Sequence, residues 1–200
     1  MAGLFYTFRR CSTLILAGAS CLMVPVSAGA HEFTAALEQM AHDHIAHIAS
    51  DPDIVRAVKE QNLQTALLGD AEIEALDQTW RAEVDAVDQP FISEVMGKPG
   101  STLLFNYQEQ AEGLFTEMFV TDARGLNVVQ STMTSDYWQG DEDKWQQSFG
   151  QGPGAIHISD IEYDDSSQVF QSQVSIPVVD SITNEAIGAI TVGVDLWYLE

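Results

Sequence analysis

Aromatic and acidic side chains are concentrated in one stretch of this sequence, between Asp136 and Asp165. Aromatic faces and carboxylates together attract an ammonium or quaternary amine, with cation–π contacts contributing roughly 0.5–2 kcal/mol each. Loop residues between regular elements are free to face a pocket, so Asp136 and Tyr137 are the leading candidates. The alternative is that the tryptophans pack the loop onto a sheet while the acids face water. The candidate ligand-binding residues are Asp136, Tyr137, Trp138, Trp145, Tyr163 and Asp164.

Metal binding has weaker support from the spacing of the ligand-type residues. His44 and His47 are three positions apart on a predicted helix and could share a zinc or copper ion. However, no third ligand lies on their face, and His44 falls on the apolar stripe, where a packed histidine is the ordinary explanation. The acidic run Asp141–Asp143 does not have the spacing of an EF-hand loop. We therefore predict no metal and no cofactor.

Catalytic constellations are also poorly formed. His157 and Ser159 lie on one face of a predicted strand but about 6–7 Å apart along it, and Asp160 points to the other face. The glycine-rich segment Gly150–Gly154 lacks the Lys and Ser/Thr of a phosphate-binding loop. We predict that the protein is not an enzyme and has no catalytic residues.

The first 30 residues have the order of an export signal. Arg9 and Arg10 precede the uncharged, mostly apolar run Cys11–Val26, and small residues follow up to Ala30. This order is typical of a signal peptide, which we expect to be cleaved after Ala30. A retained membrane anchor is the alternative, since about 20 apolar residues can span a bilayer. The predicted location is periplasmic or secreted.

Charge and cysteine content exclude several function classes. The formal net charge is −22, with 30 Asp and Glu against 8 Lys and Arg. Nucleic acid and anionic lipid both need Lys and Arg to neutralise their phosphates, so neither is an expected partner. Cys11 and Cys21 both lie in the predicted signal, so the mature chain has no disulfide and no thiol chemistry.

Residues 31–113 predict helices. The dipeptide Asp51-Pro52 indicates the N-cap and first residue of the second helix. Gly69 is expected just after the end of that helix, in the left-handed conformation that glycine adopts cheaply. Asp70 and Ser101 are predicted to cap the next helices. The first helix carries an apolar stripe at helical spacing that comprises Phe33, Leu37, Met40, His44 and Ile48.

Residues 114–200 predict an antiparallel sheet, so the single domain from residue 31 to residue 200 has an α+β fold. Gly125 suits the positive φ of a tight turn after the first strand. A short helix is expected at Asp141–Phe149, in the connection between the second and third strands. The five predicted strands are Leu114–Thr121, Leu126–Ser131, Ala155–Tyr163, Gln168–Val179 and Ala186–Leu196.

This order of elements resembles the Cache family, the PAS-like extracellular sensor domains of bacterial receptors. The segments that carry the resemblance are Glu117–Gly125, Ser135–Glu142, Ile161–Ser166, Gln173–Val178 and Ile187–Val194. They are similar to the family's first hairpin, ligand-side loop, third strand and last two strands. The resemblance implies N-terminal helices supporting a five-stranded PAS-like sheet, with a pocket between one sheet face and the crossover loop. The implied activity is ligand recognition without turnover.

Two departures from the family pattern shape the functional expectation. No membrane helix follows the last strand, so we expect a free-standing module that signals through a separate membrane receptor, kinase or cyclase. Amino-acid-binding members use an arginine near the loop, whereas the only cation between Gln130 and Asp180 is Lys144. The predicted ligand is therefore an amine-bearing or other polar small molecule.

Two hypotheses remain at this point. The protein is either an exported small-molecule sensor or a Cache-like interaction protein that docks or forms a homodimer through its long helices. An open pocket with convergent polar groups would favour the sensor, and a filled pocket would favour the interaction protein.

Overall fold

The computed structural model describes residues 27–165 and 167–199. Arg9, Arg10 and the run Cys11–Val26 lie outside these ranges, so the export signal stays a prediction. Within the described part of the chain, no helix is both long enough and apolar enough to cross a membrane. The helical half contains α1 (Ser27–Met40), α2 (Ala46–Ala49), α3 (Pro52–Thr65), α4 (Asp70–Val84), α5 (Pro90–Met96) and α6 (Pro99–Gln110).

The second half forms one antiparallel sheet, as the sequence predicted. Its strands are β1 (Phe115–Asp122), β2 (Asn127–Gln130), β3 (His157–Ile158), β4 (Glu162–Asp164), β5 (Val169–Val179) and β6 (Ala186–Asp195), with the short helix α7 (Asp143–Gln146) between β2 and β3. The strand order is β2-β1-β6-β5-β3, and β4 also pairs with β5.

The predicted third strand, Ala155–Tyr163, is divided into two. His157 of β3 pairs with Ser175, and Tyr163 of β4 pairs with Phe170, so both short strands border β5. Between them, the Ser159 hydroxyl accepts the Gln173 N–H at 2.8 Å, where a side chain replaces a backbone carbonyl as the ladder partner. The sheet consequently has six strands instead of five.

The helices cover one face of the sheet and form the main hydrophobic core with it. Leu37, Ile54 and Leu104 from the helices are at most 1% exposed. They pack in one cluster with the strand residues Met118 and Val192. Burial of apolar surface, worth about 25 cal/mol per Å², joins the two layers.

The first helical stretch departs from the predicted apolar stripe at His44. A π-helical turn, Ala41–Ile45, connects α1 to α2. Such a turn accommodates one extra residue. The buried position therefore falls on Ile45, which is fully buried, and His44 is exposed.

The predicted caps are right at one helix and wrong at two others. The Asp51 carboxylate accepts the Asp53 N–H at 2.8 Å and caps α3, as expected. Gly69 has φ −83° and precedes α4 as its N-cap, so it does not occupy the left-handed region. Its N–H is bound by Glu72 at 2.8 Å, and Asp70 is the first helical residue.

Ser101 lies inside α6, which begins at Pro99 with Lys98 as its N-cap. Proline suits the first helical position because its missing N–H has no partner there. The Ser101 hydroxyl instead donates to the Val95 carbonyl at 2.8 Å and links α6 to α5.

A buried carboxylate holds the β1–β2 turn. Asp122 is completely buried. Its Oδ1 accepts the N–H groups of Arg124 and Leu126 at 2.8 and 2.9 Å, and its Oδ2 accepts the Thr65 hydroxyl of α3 at 2.7 Å. Gly125 has φ +78°, as predicted for the turn.

Replacing Asp122 with alanine should therefore destabilise the fold by about 2–4 kcal/mol, because several buried donors lose their acceptor. Urea unfolding measures this change. Asp88→Ala removes the same charge from an exposed position and should change stability by less than about 0.5 kcal/mol. Equal losses in the two variants would contradict the role of Asp122.

Candidate functional site

A polar cleft of about 490 Å³ lies on the sheet face opposite the hydrophobic core, beneath the crossover segment between β2 and β3. Its floor contains Glu117 and Phe119 of β1 and Gln171 and Gln173 of β5. Successive strand residues point to opposite faces, so the neighbours Met118 and Val174 belong to the core. A further recess of about 620 Å³ continues the cleft toward β3.

The floor is open at its centre because of Gly193 on β6. Gly193 pairs with Glu117 on one side and with Gln173 on the other. A Cβ atom there would lie 2.9 Å from Gln171 Oε1 and from Glu117 Cγ, and closer still to Thr116 Oγ1. Glycine at this position lets the long side chains of both neighbouring strands lie across β6.

Glu117 is a nearly buried carboxylate on this floor. Its Oε1 accepts the Gln173 amide at 2.7 Å. Burial raises the pKa of Glu117, and the opposing effects of the Gln173 hydrogen bond and the Lys144 charge are smaller. No Lys, Arg or His of the described residues forms an ion pair with it.

Lys144 of α7 is the cation above the floor. Its Nζ lies 2.9 Å from Glu142 Oε2 and 5.5 Å from the centroid of the Phe119 ring. The ammonium is thereby held by a carboxylate and an aromatic face, both of which line the cleft.

The wall of the cleft is attached to α4 through Asp77. This carboxylate is 6% exposed, and its Oδ1 accepts the N–H groups of Tyr137 and Trp138 at 2.9 and 3.0 Å. Its Oδ2 accepts Arg81 Nε at 2.6 Å, and Arg81 Nη2 reaches Asp136 Oδ2 at 3.1 Å. The hydrogen bond to Asp77 raises the pKa of Arg81, so the guanidinium keeps its charge.

Arg81 was not among the predicted site residues. It lies 55 positions from Asp136 in the chain, and nothing in the sequence indicates that pairing. The available signal was the Asp77–Arg81 spacing of four residues on one helix face, which is typical of an ion pair.

Three of the six predicted ligand residues line the cleft together: Asp136 on the crossover and Tyr163 and Asp164 on β4. Tyr137 does not. Its ring is 5% exposed and lies in a second hydrophobic cluster, stacked 5.5 Å from Trp80 and tilted 4.7 Å from Phe91. Adjacent loop residues thus point in opposite directions.

Trp138 and Trp145 line a separate recess of about 250 Å³. The Trp138 Nε1–H donates to the Arg124 carbonyl at 2.9 Å, and the Trp145 Nε1–H to the Asp122 carbonyl at 3.2 Å. Both indoles therefore pack the crossover onto the β1–β2 turn, which is the alternative that the sequence left open.

The candidate catalytic group at His157, Ser159 and Asp160 and the histidine pair His44 and His47 do not form sites. Ser159 donates to the Asp160 carbonyl at 2.9 Å and accepts a backbone N–H, so its hydroxyl is committed to the main chain. Burial lowers the pKa of His157. His44 and His47 are exposed, and no group of three metal-ligand side chains is assembled anywhere in the ranges 27–165 and 167–199.

No family model and no curated protein matches the chain. Among solved structures, the chain is similar to the sensor domain of the V. cholerae histidine kinase DctB (TM-score 0.46, 14% identity, 84% of this chain and 57% of that one). It is similar to the E. coli DcuS sensor domain, with a TM-score of 0.47 and 13% identity, over 82% of this chain and 95% of that one. It is also similar to the sensory domain of the Campylobacter jejuni chemoreceptor Tlp3 with isoleucine bound, with a TM-score of 0.39 and 10% identity, over 85% of this chain and 63% of that one.

All three are sensor domains, which is the class that the sequence resemblance named. The chain spans less than two thirds of the DctB and Tlp3 domains.

Removing the Asp77 carboxylate should release the crossover. In Asp77→Ala the amides of Tyr137 and Trp138 lose a buried acceptor, so we expect a loss of about 1–3 kcal/mol and faster hydrogen exchange at these two amides. Amide exchange followed by NMR measures both. Glu74→Gln, an exposed change on the same helix, should leave the exchange unchanged. Unaltered protection of the two amides in Asp77→Ala would show that other contacts hold the crossover.

Glu117→Gln should stabilise the ligand-free protein, by about 1 kcal/mol or about 2–4 °C at neutral pH, since it removes a buried charge and keeps an acceptor for Gln173. Because the folded state raises the pKa of Glu117, the wild type loses stability as pH rises through the raised pKa. The gap between variant and wild type should therefore be small at about pH 4 and grow toward pH 8.

Thermal unfolding of both proteins across this pH range tests the expectation. The charged groups around Glu117 are Lys144, Asp164, Asp136, Glu142 and Glu162, and they are the same in both proteins. Their own titration consequently cancels to first order in the difference. A gap that shrinks as pH rises would contradict the assignment of a buried charge.

Proposed function

We propose that this protein is an exported sensor module that binds a small molecule in the cleft between β1, β5 and the crossover. The observation that carries the proposal is the convergence of Glu117, Gln173 and Asp136 on a cavity of about 490 Å³. Ligand sites typically measure about 300–1,000 Å³ and contain a few placed polar groups. An amine-bearing or other polar metabolite is the ligand class that suits this lining.

The described helices offer little support for the interaction-protein alternative. Docking or homodimer formation through the long helices would need an unpartnered apolar stripe. Leu37 and Ile48 of the first helical stripe, and Ile54 and Val58 of α3, are instead at most 3% exposed and pack in the core. Leu63 is a single exposed apolar residue of α3. An open cleft with convergent polar groups favours the sensor.

Recognition without turnover fits the chemistry of the cleft. Its polar side chains are amides, carboxylates, the hydroxyls of Thr134, Ser135 and Tyr163, and one lysine that is engaged by Glu142. A serine nucleophile needs a free base beside it, and Asp136, 3.4 Å from the Ser135 hydroxyl, is paired with Arg81 instead.

The contacts around Asp136 suggest how occupancy could reach the rest of the molecule. Asp136 lines the cleft and binds Arg81 of α4 at 3.1 Å. A ligand that engages Asp136 changes the partner of Arg81, and so biases the position of α4. From a periplasmic or secreted location, a separate membrane-bound receptor, kinase or cyclase would read that change.

A bulky residue in the cleft should abolish ligand binding. Ser135 is exposed and lines the cleft, so Ser135→Trp fills space without disturbing the core. Thr132→Trp adds the same ring at an exposed crossover position outside the lining and is the control.

A thermal-shift screen with amines, amino acids, carboxylates, purines and divalent metals supplies the readout. A ligand at about 100 times its dissociation constant adds about 2.7 kcal/mol of stability. We expect a hit that Ser135→Trp removes and Thr132→Trp retains. A hit that survives in both variants would place the ligand elsewhere, and no hit in any class would overturn the proposed function.

A further inference from the structure

Some carboxylates of the cleft have a cationic partner and Glu117 has none among the described residues. Asp136 is paired with Arg81 at 3.1 Å, and Glu142 is paired with Lys144 at 2.9 Å. Glu117, a largely buried carboxylate on the floor, is bound by the Gln173 amide and has no ion pair within the part of the chain that the structure describes.

We propose that Glu117 binds a positively charged group of the ligand, so that the cleft selects a small amine or another small organic cation. This inference rests on the proposed function. It adds the residue that determines specificity and the charge of the group that the residue takes.

The surroundings of Glu117 suit a carboxylate that awaits a cation. Gln173 donates its amide N–H to Oε1, which leaves the carbonyl oxygen of the same amide as a further acceptor for a ligand N–H. A buried ion without a counter-ion is costly, and a bound cation would remove that cost. Because only a cation relieves the cost of burying the Glu117 carboxylate, the cleft should bind cations in preference to neutral molecules of the same shape.

Lys144 cannot replace the ligand in this role. Its ammonium is 2.9 Å from Glu142 and lies over the Phe119 ring, 5.5 Å from the centroid. It lowers the pKa of Glu117 only by its charge at a distance. Lys144 instead sets an upper limit on positive charge in the cleft, which favours one cationic group over several.

The binding test uses pairs of probes with the same shape and different charge. Choline is compared with its neutral isostere 3,3-dimethyl-1-butanol, and butylamine with butanol, alongside acetate and succinate as anions. Binding to the full-length purified protein is measured by isothermal titration calorimetry and by thermal shift, for the wild type, Glu117→Gln, Lys144→Gln and Glu185→Gln. Glu185 is exposed in the β5–β6 turn and controls for net charge.

We expect at least one cation to bind the wild type and its neutral isostere to bind at least about tenfold more weakly, since only the cation supplies a counter-charge to the buried carboxylate. Glu117→Gln should weaken the cation by a similar factor, while Glu185→Gln leaves it within about twofold. Lys144→Gln should strengthen cation binding, because it removes a like charge.

The opposite signs at Glu117 and Lys144 distinguish recognition from a structural effect. A misfolded variant would lose all binding, whereas Glu117→Gln is expected to be the more stable protein and to keep any neutral ligand. Equal binding of cation and isostere, binding of anions alone, or a cation affinity that Glu117→Gln leaves unchanged would overturn the inference while the proposed function stands. Failure of every compound of this panel to bind would also overturn the inference, whereas the proposed function falls only if the whole thermal-shift screen gives no hit.

Discussion

The cleft depends on one carboxylate that is not part of it. Asp77 of α4 accepts the backbone N–H groups of Tyr137 and Trp138. Together with Trp80 Nε1, which donates to the Thr134 carbonyl at 2.9 Å, it attaches the crossover to the helical half. A segment without regular structure has few ways to satisfy its buried backbone groups, so an acidic acceptor from a neighbouring helix fixes its path. With the backbone held there, Asp136 turns to the cleft and Tyr137 turns into the core.

The two faces of the sheet divide stability from recognition. Met118 of β1 and Val174 of β5 pack in the core with the helices. Their chain neighbours Glu117 and Gln173 carry polar groups on the other face, where they bring little hydrophobic stabilisation and one buried charge. The core between the helices and the sheet provides most of the apolar burial. The second face can therefore hold a polar site with a buried charge while the domain stays folded.

Local patterns predicted the elements, and long-range contacts decided the site. The Asp51 cap and the Gly125 turn follow from single-residue preferences, so the sequence was sufficient for both. His44 was misplaced because a π turn adds one residue to a helical period that sequence patterns assume to be constant. Tyr137 could not be placed, since the direction of this loop side chain depends on Asp77, 60 positions away. The pairing of Arg81 with Asp136 could not be predicted either, since it spans 55 positions.

The negative charge of this protein acts at long range through its surface and at contact distance through Glu117, and only the contact can distinguish one cation from another. The net charge of −22 raises the local concentration of any cation near the surface and does not distinguish one cation from another. This attraction weakens beyond the Debye length of about 8 Å at physiological salt, whereas a buried carboxylate is screened much less. Glu117 lies on the largely buried floor of the cleft, where its Oε1 accepts the Gln173 amide. The acidic surface therefore favours encounter with cations in general, and the floor of the cleft is where one cation can be distinguished from another.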